Sequence, residues 1–213
     1  MRDAVAARLR SLLPDARIIH ELVVGNCRAD LAAVQPERIT LVEIKSAKDT
    51  LARLDRQVAE FSVASHRLIV VAAERWFDRK PYDNGRPRFV PSEALKHSGA
   101  IWLYPEPEPN TIEAWYGWRF QSWEGTRAEP HAARLLGLLW KCELLAECDR
   151  HRIVAGRRTN MATLIRDMAW HMTGAEIARA VCRQLRCRHF PEADAPDQFT
   201  AEEERALDEQ QAA

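Results

Sequence analysis

The 213-residue chain is 46% hydrophobic, enough for a domain-sized core, and its 31 basic and 31 acidic side chains cancel. No apolar run approaches the ~18–20 residues of a bilayer span, and Met1-Arg2-Asp3-Ala4 opens no signal-peptide core, so a soluble, cytoplasmic protein without a membrane partner is expected. The balance hides an asymmetry: from Glu192 onward there are eight acidic residues and one basic, leaving 30 basic and 23 acidic side chains, a net of +7, before it.

Residues 3–13 place Val5, Leu9, Leu12 and Leu13 on one helical face, and Pro14-Asp15 ends the pattern. Ile18 to Val24 reads as a strand, Gly25-Asn26 as a turn, and Arg28–Val34 as the strand returning from it. After Gln35-Pro36-Glu37, the β-branched run Ile39–Lys45 predicts a third strand. The period then becomes helical from Thr50 to about Ser65, with Leu51, Leu54, Val58 and Phe61 as the stripe and Asp49 or Thr50 as N-cap. Leu68–Ala73, apolar throughout, predicts a strand covered on both faces, with the preceding helix as the crossover of a parallel pair.

Residues 78–87 carry turn chemistry, 91–95 could start a short helix, and Ala100–Tyr104 reads as another strand. The prolines of 105–109 exclude a helix or central strand, and the aromatic alternation of Thr111–Trp123 predicts a final strand or hairpin. Beyond Pro130 the chain is expected to be helical over 131–148, 161–171 and 174–188, and the acidic tail from Pro191 to be mobile.

Chemistry concentrates between Arg28 and Gln57. Glu43 and Lys45 stand two apart on one strand and so share a face with Leu41. Burying both there requires partners, and Asp30 on the neighbouring strand is the obvious one. Two carboxylates and an ammonium suit a divalent cation and a phosphodiester: the cation takes oxygen ligands, and the lysine orients a nucleophile or neutralises charge. Gln57 on the following helix and Glu21 upstream are further candidates.

Asp30 followed by Glu43-Ile44-Lys45 within this element order resembles the PD-(D/E)XK nuclease superfamily. Arg28-Ala29-Asp30-Leu31 with Glu43-Ile44-Lys45-Ser46 and Arg56-Gln57 resembles a subgroup of small bacterial and phage nuclease-like proteins. The resemblance spans roughly residues 3–104; the proline of the motif is replaced by Ala29, and the first helix lacks the glutamate that some members supply. It implies an α/β, restriction-endonuclease-like αβββαβ core with a mixed central sheet over 1–125. A C-terminal helical subdomain would occupy 126–190 and an acidic tail 191–213. It further implies a metal-dependent DNA phosphodiester hydrolase in repair, mobile-element or phage-related processes. Mg²⁺, with Mn²⁺ able to substitute, would be bound by Asp30, Glu43, the Ile44 backbone carbonyl and, as an extra acid, Glu21. Lys45 and Gln57 would complete the catalytic set.

DNA is the expected partner, with Arg28, Arg53 and Arg56 near the site and Arg179, Arg183 and Arg186 aligned on the last helix as phosphate contacts, in a homodimer or larger nucleoprotein complex. The helices around Met172-Thr173-Gly174 resemble a helix-turn-helix, but a helical cap on the sheet is the expected reading. Two other functions fit the same residues: a catalytically silent nucleic-acid-binding or assembly protein, and a nuclease that cuts only inside a complex. Zinc is not expected. Cys142/Cys148 and Cys182/Cys187 fall about 240° and 140° apart on a helix, so neither pair shares a face, and the five cysteines read as free thiols.

Overall fold

The computed structural model describes residues 1–78, 87–90, 100–120 and 129–198. Helix α1 (Arg2–Leu12) precedes strands β1 (Arg17–Val24), β2 (Cys27–Val34) and β3 (Ile39–Lys45). Helix α2 (Leu54–Ser62) leads to β4 (Arg67–Ala73), and β7 (Ala100–Tyr104) completes a five-stranded sheet ordered β1-β2-β3-β4-β7. The first three strands pair antiparallel and the last two join parallel, so the sheet is mixed. β5 (Phe77–Asp78) and β6 (Arg88–Phe89) form a separate short ribbon.

Local chemistry explains the boundaries. Gly25, at φ +57°, holds the first central position of the two-residue turn between the paired Val24 and Cys27, where a hairpin of this kind takes glycine. α2 starts later than its apolar stripe predicts. Neither Asp49 nor Thr50 caps it, because the Asp49 carboxylate accepts the Ser46 N–H at 2.7 Å and holds a turn instead. The expected strand over Thr111–Trp123 is also corrected. Ile112–Tyr116 is a 3₁₀ helix, and Trp118 stacks on Trp102 with centroids 5.9 Å apart and donates its indole N–H to the Leu103 carbonyl. Those aromatics therefore cover the β7 edge instead of extending the sheet. Trp123, the 79–86 part of the turn-rich loop and the short helix at 91–95 lie outside the described residues.

Each sheet face has its own cover. Val5 and Leu9 of α1 pack with Ile18, Leu31, Val42, Ile69 and Trp102. On the other face Leu54, Val58 and Phe61 of α2 share a core with Leu41, Leu68 and Val70, and with α3 (Ala132–Leu136), α4 (Lys141–Arg150), α5 (Met161–His171) and α6 (Gly174–Cys187). The helices expected as a subdomain over 126–190 thus share a continuous core with the sheet of 1–125. Truncating fully buried Phe61 to alanine should cost about 3–5 kcal/mol, read as a lower denaturation midpoint at unchanged slope.

Of the two readings of α5 and α6, burial matches the expected helical cap and not the helix-turn-helix. α5 and α6 are well capped, by Asn160 and by a Thr173–Glu176 capping box, but Ile177, Ala178, Ala180, Val181, Cys182 and Leu185 of α6 are all buried. α6 is a cover helix of the core. Its C-terminal end is closed by Arg17 of β1, whose guanidinium donates to the carbonyls of Leu185, Arg186 and Arg188 at 2.7–2.9 Å. The start of the acidic tail is pinned, contrary to expectation. His20 N–H donates to the Glu192 carbonyl and Asp194 N–H to the Ile18 carbonyl, both at 2.9 Å, and the Asp194 carboxylate pairs with Arg10. Residues 199–213 lie outside the described residues. Among the described residues no helix is long and apolar enough to cross a membrane.

Candidate functional site

β2 and β3 pair from Val34↔Ile39 as far as Leu31↔Val42, and the recorded ladder stops there. At the next position stand Asp30 and Glu43. The Ile44 N–H has no β2 carbonyl to meet, and the Asp30 carboxylate takes it at 2.7 Å through Oδ2. A residue in an antiparallel ladder sends its N–H and C=O to the same side, so the Ile44 carbonyl faces the same gap.

Glu43 and Lys45 are 3% and 5% exposed, burial that would be costly without partners. They find each other and Gln57 of α2. Lys45 Nζ donates to Glu43 Oε1 at 2.7 Å and to Gln57 Oε1 at 2.9 Å, and Gln57 Nε2 donates to Glu43 Oε1 at 2.6 Å. All three bonds close on one glutamate oxygen or the lysine. Glu43 Oε2 is buried and, among the described residues, has no hydrogen-bond partner. Burial first, and then the nearby charge of Asp30, push the Glu43 carboxyl up to about 7 against the opposing pull of Lys45 and Gln57. Burial also raises Asp30, while the Ile44 N–H and Arg2 act the other way.

Glu21 adopts φ +57° within β1, a left-handed conformation that costs a non-glycine residue about 1–3 kcal/mol. That backbone brings its carboxylate between two arginines: Oε1 accepts from Arg2, and Oε2 pairs with Arg28 at 2.7 Å. With both oxygens engaged, Glu21 supports the arginines and does not offer the free ligand expected of an extra metal-binding acid.

An open cleft of about 640 Å³ is lined by Glu21, Arg28, Asp30, Arg53, Arg56 and Gln57 among others, and it meets the buried Glu43 and Lys45 only through their partner Gln57 and the neighbouring Asp30. Arg28, Arg53 and Arg56 are exposed there, so the cleft has an acidic floor and a basic rim. The three expected DNA contacts of α6 are elsewhere and internally paired. Arg183 is buried against Glu147, with bonds of 3.1 and 2.6 Å. Arg186 bonds Asp197 at 2.6 Å and the Val34 carbonyl at 3.0 Å, and Arg179 reaches Glu37 at 3.4 Å. Arg183 and Arg186 are staples of the fold and are not available to phosphates. Arg2, which pattern reading did not single out, does approach Asp30: its Nη2 lies 3.9 Å from Asp30 Oδ1.

The donor set fits a hard divalent cation. One buried carboxylate oxygen is unbonded, a second carboxylate stands at the adjacent strand position, and a backbone carbonyl faces the same gap. Among the described residues no three His, Cys, Asp or Glu side chains gather as a self-sufficient metal cage. Water and substrate oxygens would complete the shell, as is usual for Mg²⁺.

Residues 4–79 match a family model described as Bacteriophage P4 protein cII, a little over a third of the chain. The matched span runs from α1 to β5 and contains Glu21, Arg28, Asp30, Glu43, Lys45 and Gln57; α3 to α6 lie beyond it. No match is found among curated proteins or among solved structures.

Proposed function

We propose that this protein is a Mg²⁺-dependent DNA phosphodiester hydrolase of the PD-(D/E)XK type, working in a phage-related, mobile-element or repair process. The observation that carries the reading is Glu43: a buried carboxylate with one oxygen tied to Lys45 and Gln57, the other unbonded, and a second carboxylate at the adjacent strand position. The αβββαβ order with its mixed sheet supports the fold assignment, and the similarity of residues 4–79 to a phage protein family supports the setting.

Asp30, Glu43 and the Ile44 carbonyl would hold the ion, which when bound polarises a phosphate oxygen and acidifies a water. Lys45 keeps its ammonium beside the phosphate and compensates the charge that develops there. Gln57 fixes the rotamers of both Glu43 and Lys45 by bonding each, and so positions the reacting groups without touching substrate itself. Arg28, Arg53 and Arg56 bind the phosphates flanking the scissile one.

Digestion of single-stranded, duplex, nicked and branched DNA in Mg²⁺ or Mn²⁺ tests this directly. The parent should cut at least one form and Lys45→Ala none. Leaving every form intact, or cutting equally well without Lys45, would overturn the reading.

The near-neutral charge of the cluster favours one alternative, a silent DNA-binding protein that retains the fold: Arg2, Arg28 and Lys45 already offset Glu21, Asp30 and Glu43. In both readings Arg53→Ala/Arg56→Ala should weaken DNA binding and lower the salt dependence of log K by about 2, roughly 0.9 per lost phosphate contact. An unchanged salt slope would remove the cleft rim as the DNA contact.

A further inference from the structure

Among the described residues Arg28 pairs with Glu21 and Lys45 with Glu43, whereas Arg2 is shared among three acids. It bonds Glu21 Oε1, its Nη2 stands 3.9 Å from Asp30 Oδ1, and its Nη1 stands 3.8 Å from Glu192 Oε2. The other Asp30 oxygen is fixed by the Ile44 N–H, so Oδ1, the atom facing Arg2, is the one left for a ligand. Arg2 is 39% exposed on a flexible side chain in the first turn of α1, free to change rotamer without disturbing the core. The strap after α6 keeps Glu192 beside it through backbone bonds to β1, so a second carboxylate waits when the guanidinium leaves Asp30.

We propose that Arg2 is the resident counter-ion of Asp30, and that divalent-cation binding displaces its guanidinium from Asp30 toward Glu21 and Glu192. The inference rests on the metal reading above and adds to it a residue that sets how tightly the cleft takes its ion. Two cations beside one carboxylate oxygen repel, so the ion must overcome both the existing pairing and the residual repulsion from Arg2. A half-exposed pair of this kind, with that repulsion, should weaken cation binding about three- to tenfold.

The test is a Mn²⁺ titration of the full chain at pH 8, with free ion followed by electron paramagnetic resonance and folding checked by circular dichroism. Arg2→Gln should bind Mn²⁺ about three- to tenfold more tightly than the parent. Glu192→Gln, which removes the resting place, should bind it more weakly. Arg8→Gln removes a positive charge from the same helix but away from the cleft, where Arg8 bonds the Trp118 carbonyl at 2.9 Å and pairs with Glu106, and should match the parent. Binding by Arg2→Gln that is no tighter than the parent's, or an equal gain in Arg8→Gln, would overturn the proposal. Loss of binding in Glu43→Gln reports on the metal reading separately. If neither the parent nor Arg2→Gln binds Mn²⁺, both fall; if only Arg2→Gln binds, Arg2 is shown to exclude the ion.

Discussion

A Glu43→Gln variant is expected to lose Mn²⁺-dependent DNA cleavage by about 10³-fold or more while becoming more stable than the parent at pH 8 in the absence of metal. The first effect follows from removing one of the two carboxylates that would offset the charge of the proposed ion. The second follows from the same burial that makes the site useful. The Glu43 carboxyl titrates near 7 when folded and near the ordinary carboxylate value when unfolded. A group whose folded value is raised contributes stability that is fully present below its unfolded value and is lost as pH rises through the folded value. Metal-free parent should therefore weaken between about pH 4.5 and pH 7, by on the order of 2–3 kcal/mol from this group. Glutamine cannot ionise, so the variant should escape this loss: equal to the parent near pH 5 and more stable at pH 8 in thermal melts. A parent whose stability does not fall across that window, or a variant that gains nothing at pH 8, would contradict the electrostatic account of Glu43.

The second large effect lies far from the cleft. Glu147 is fully buried and accepts two bonds from Arg183 and one from Gln184 at 2.6 Å. Glu147→Ala should cost about 3–5 kcal/mol by leaving the Arg183 guanidinium buried and unpaired. For a chain of this size that is a fall in Tm of roughly 10 °C. Replacing both partners, as in Glu147→Leu/Arg183→Met, should recover most of the loss, because a buried ion pair and an apolar pair of similar volume differ little in net stability. A single variant that melts within about 2 °C of the parent would show that the pair is solvated and that the α4–α6 contact is looser than described.

The same arginine shows where a single sequence ceases to inform. Arg179, Arg183 and Arg186 recur at helical spacing, which describes a solvated cationic stripe and a row of internal staples equally well. What separates the two is whether a carboxylate from another element arrives opposite, and Glu147 and Asp197 are 36 and 11 residues away in sequence. Arg2 was missed for the corresponding reason, since its partners at 21, 30 and 192 meet it only through the packing of α1 and the strap on β1. A period of two over Thr111–Trp123 signals alternating environments, and residues wrapping a sheet edge satisfy it as readily as a strand does.

The sheet itself was legible because its signals are local. β-branched runs, a Gly-Asn turn and one helical stripe at crossover length set five strands within a residue of their observed ends. The Asp30, Glu43 and Lys45 set was legible for a related reason: strand alternation puts positions 43 and 45 on one face whatever the rest of the chain does. Gln57 joins them because α2 lays its apolar stripe on that same face, and the residue beside Leu54 and Val58 then overlooks Glu43.

The central claim, that Asp30 and Glu43 hold a divalent ion for phosphodiester hydrolysis, is tested most directly by an anomalous difference map from a crystal of the parent protein soaked in Mn²⁺. The account predicts a single strong peak within bonding distance of Asp30 Oδ1, Glu43 Oε2 and the Ile44 carbonyl, with the Arg2 guanidinium moved off Asp30. No peak there at saturating Mn²⁺, with Arg2 still seated beside Asp30, would contradict it.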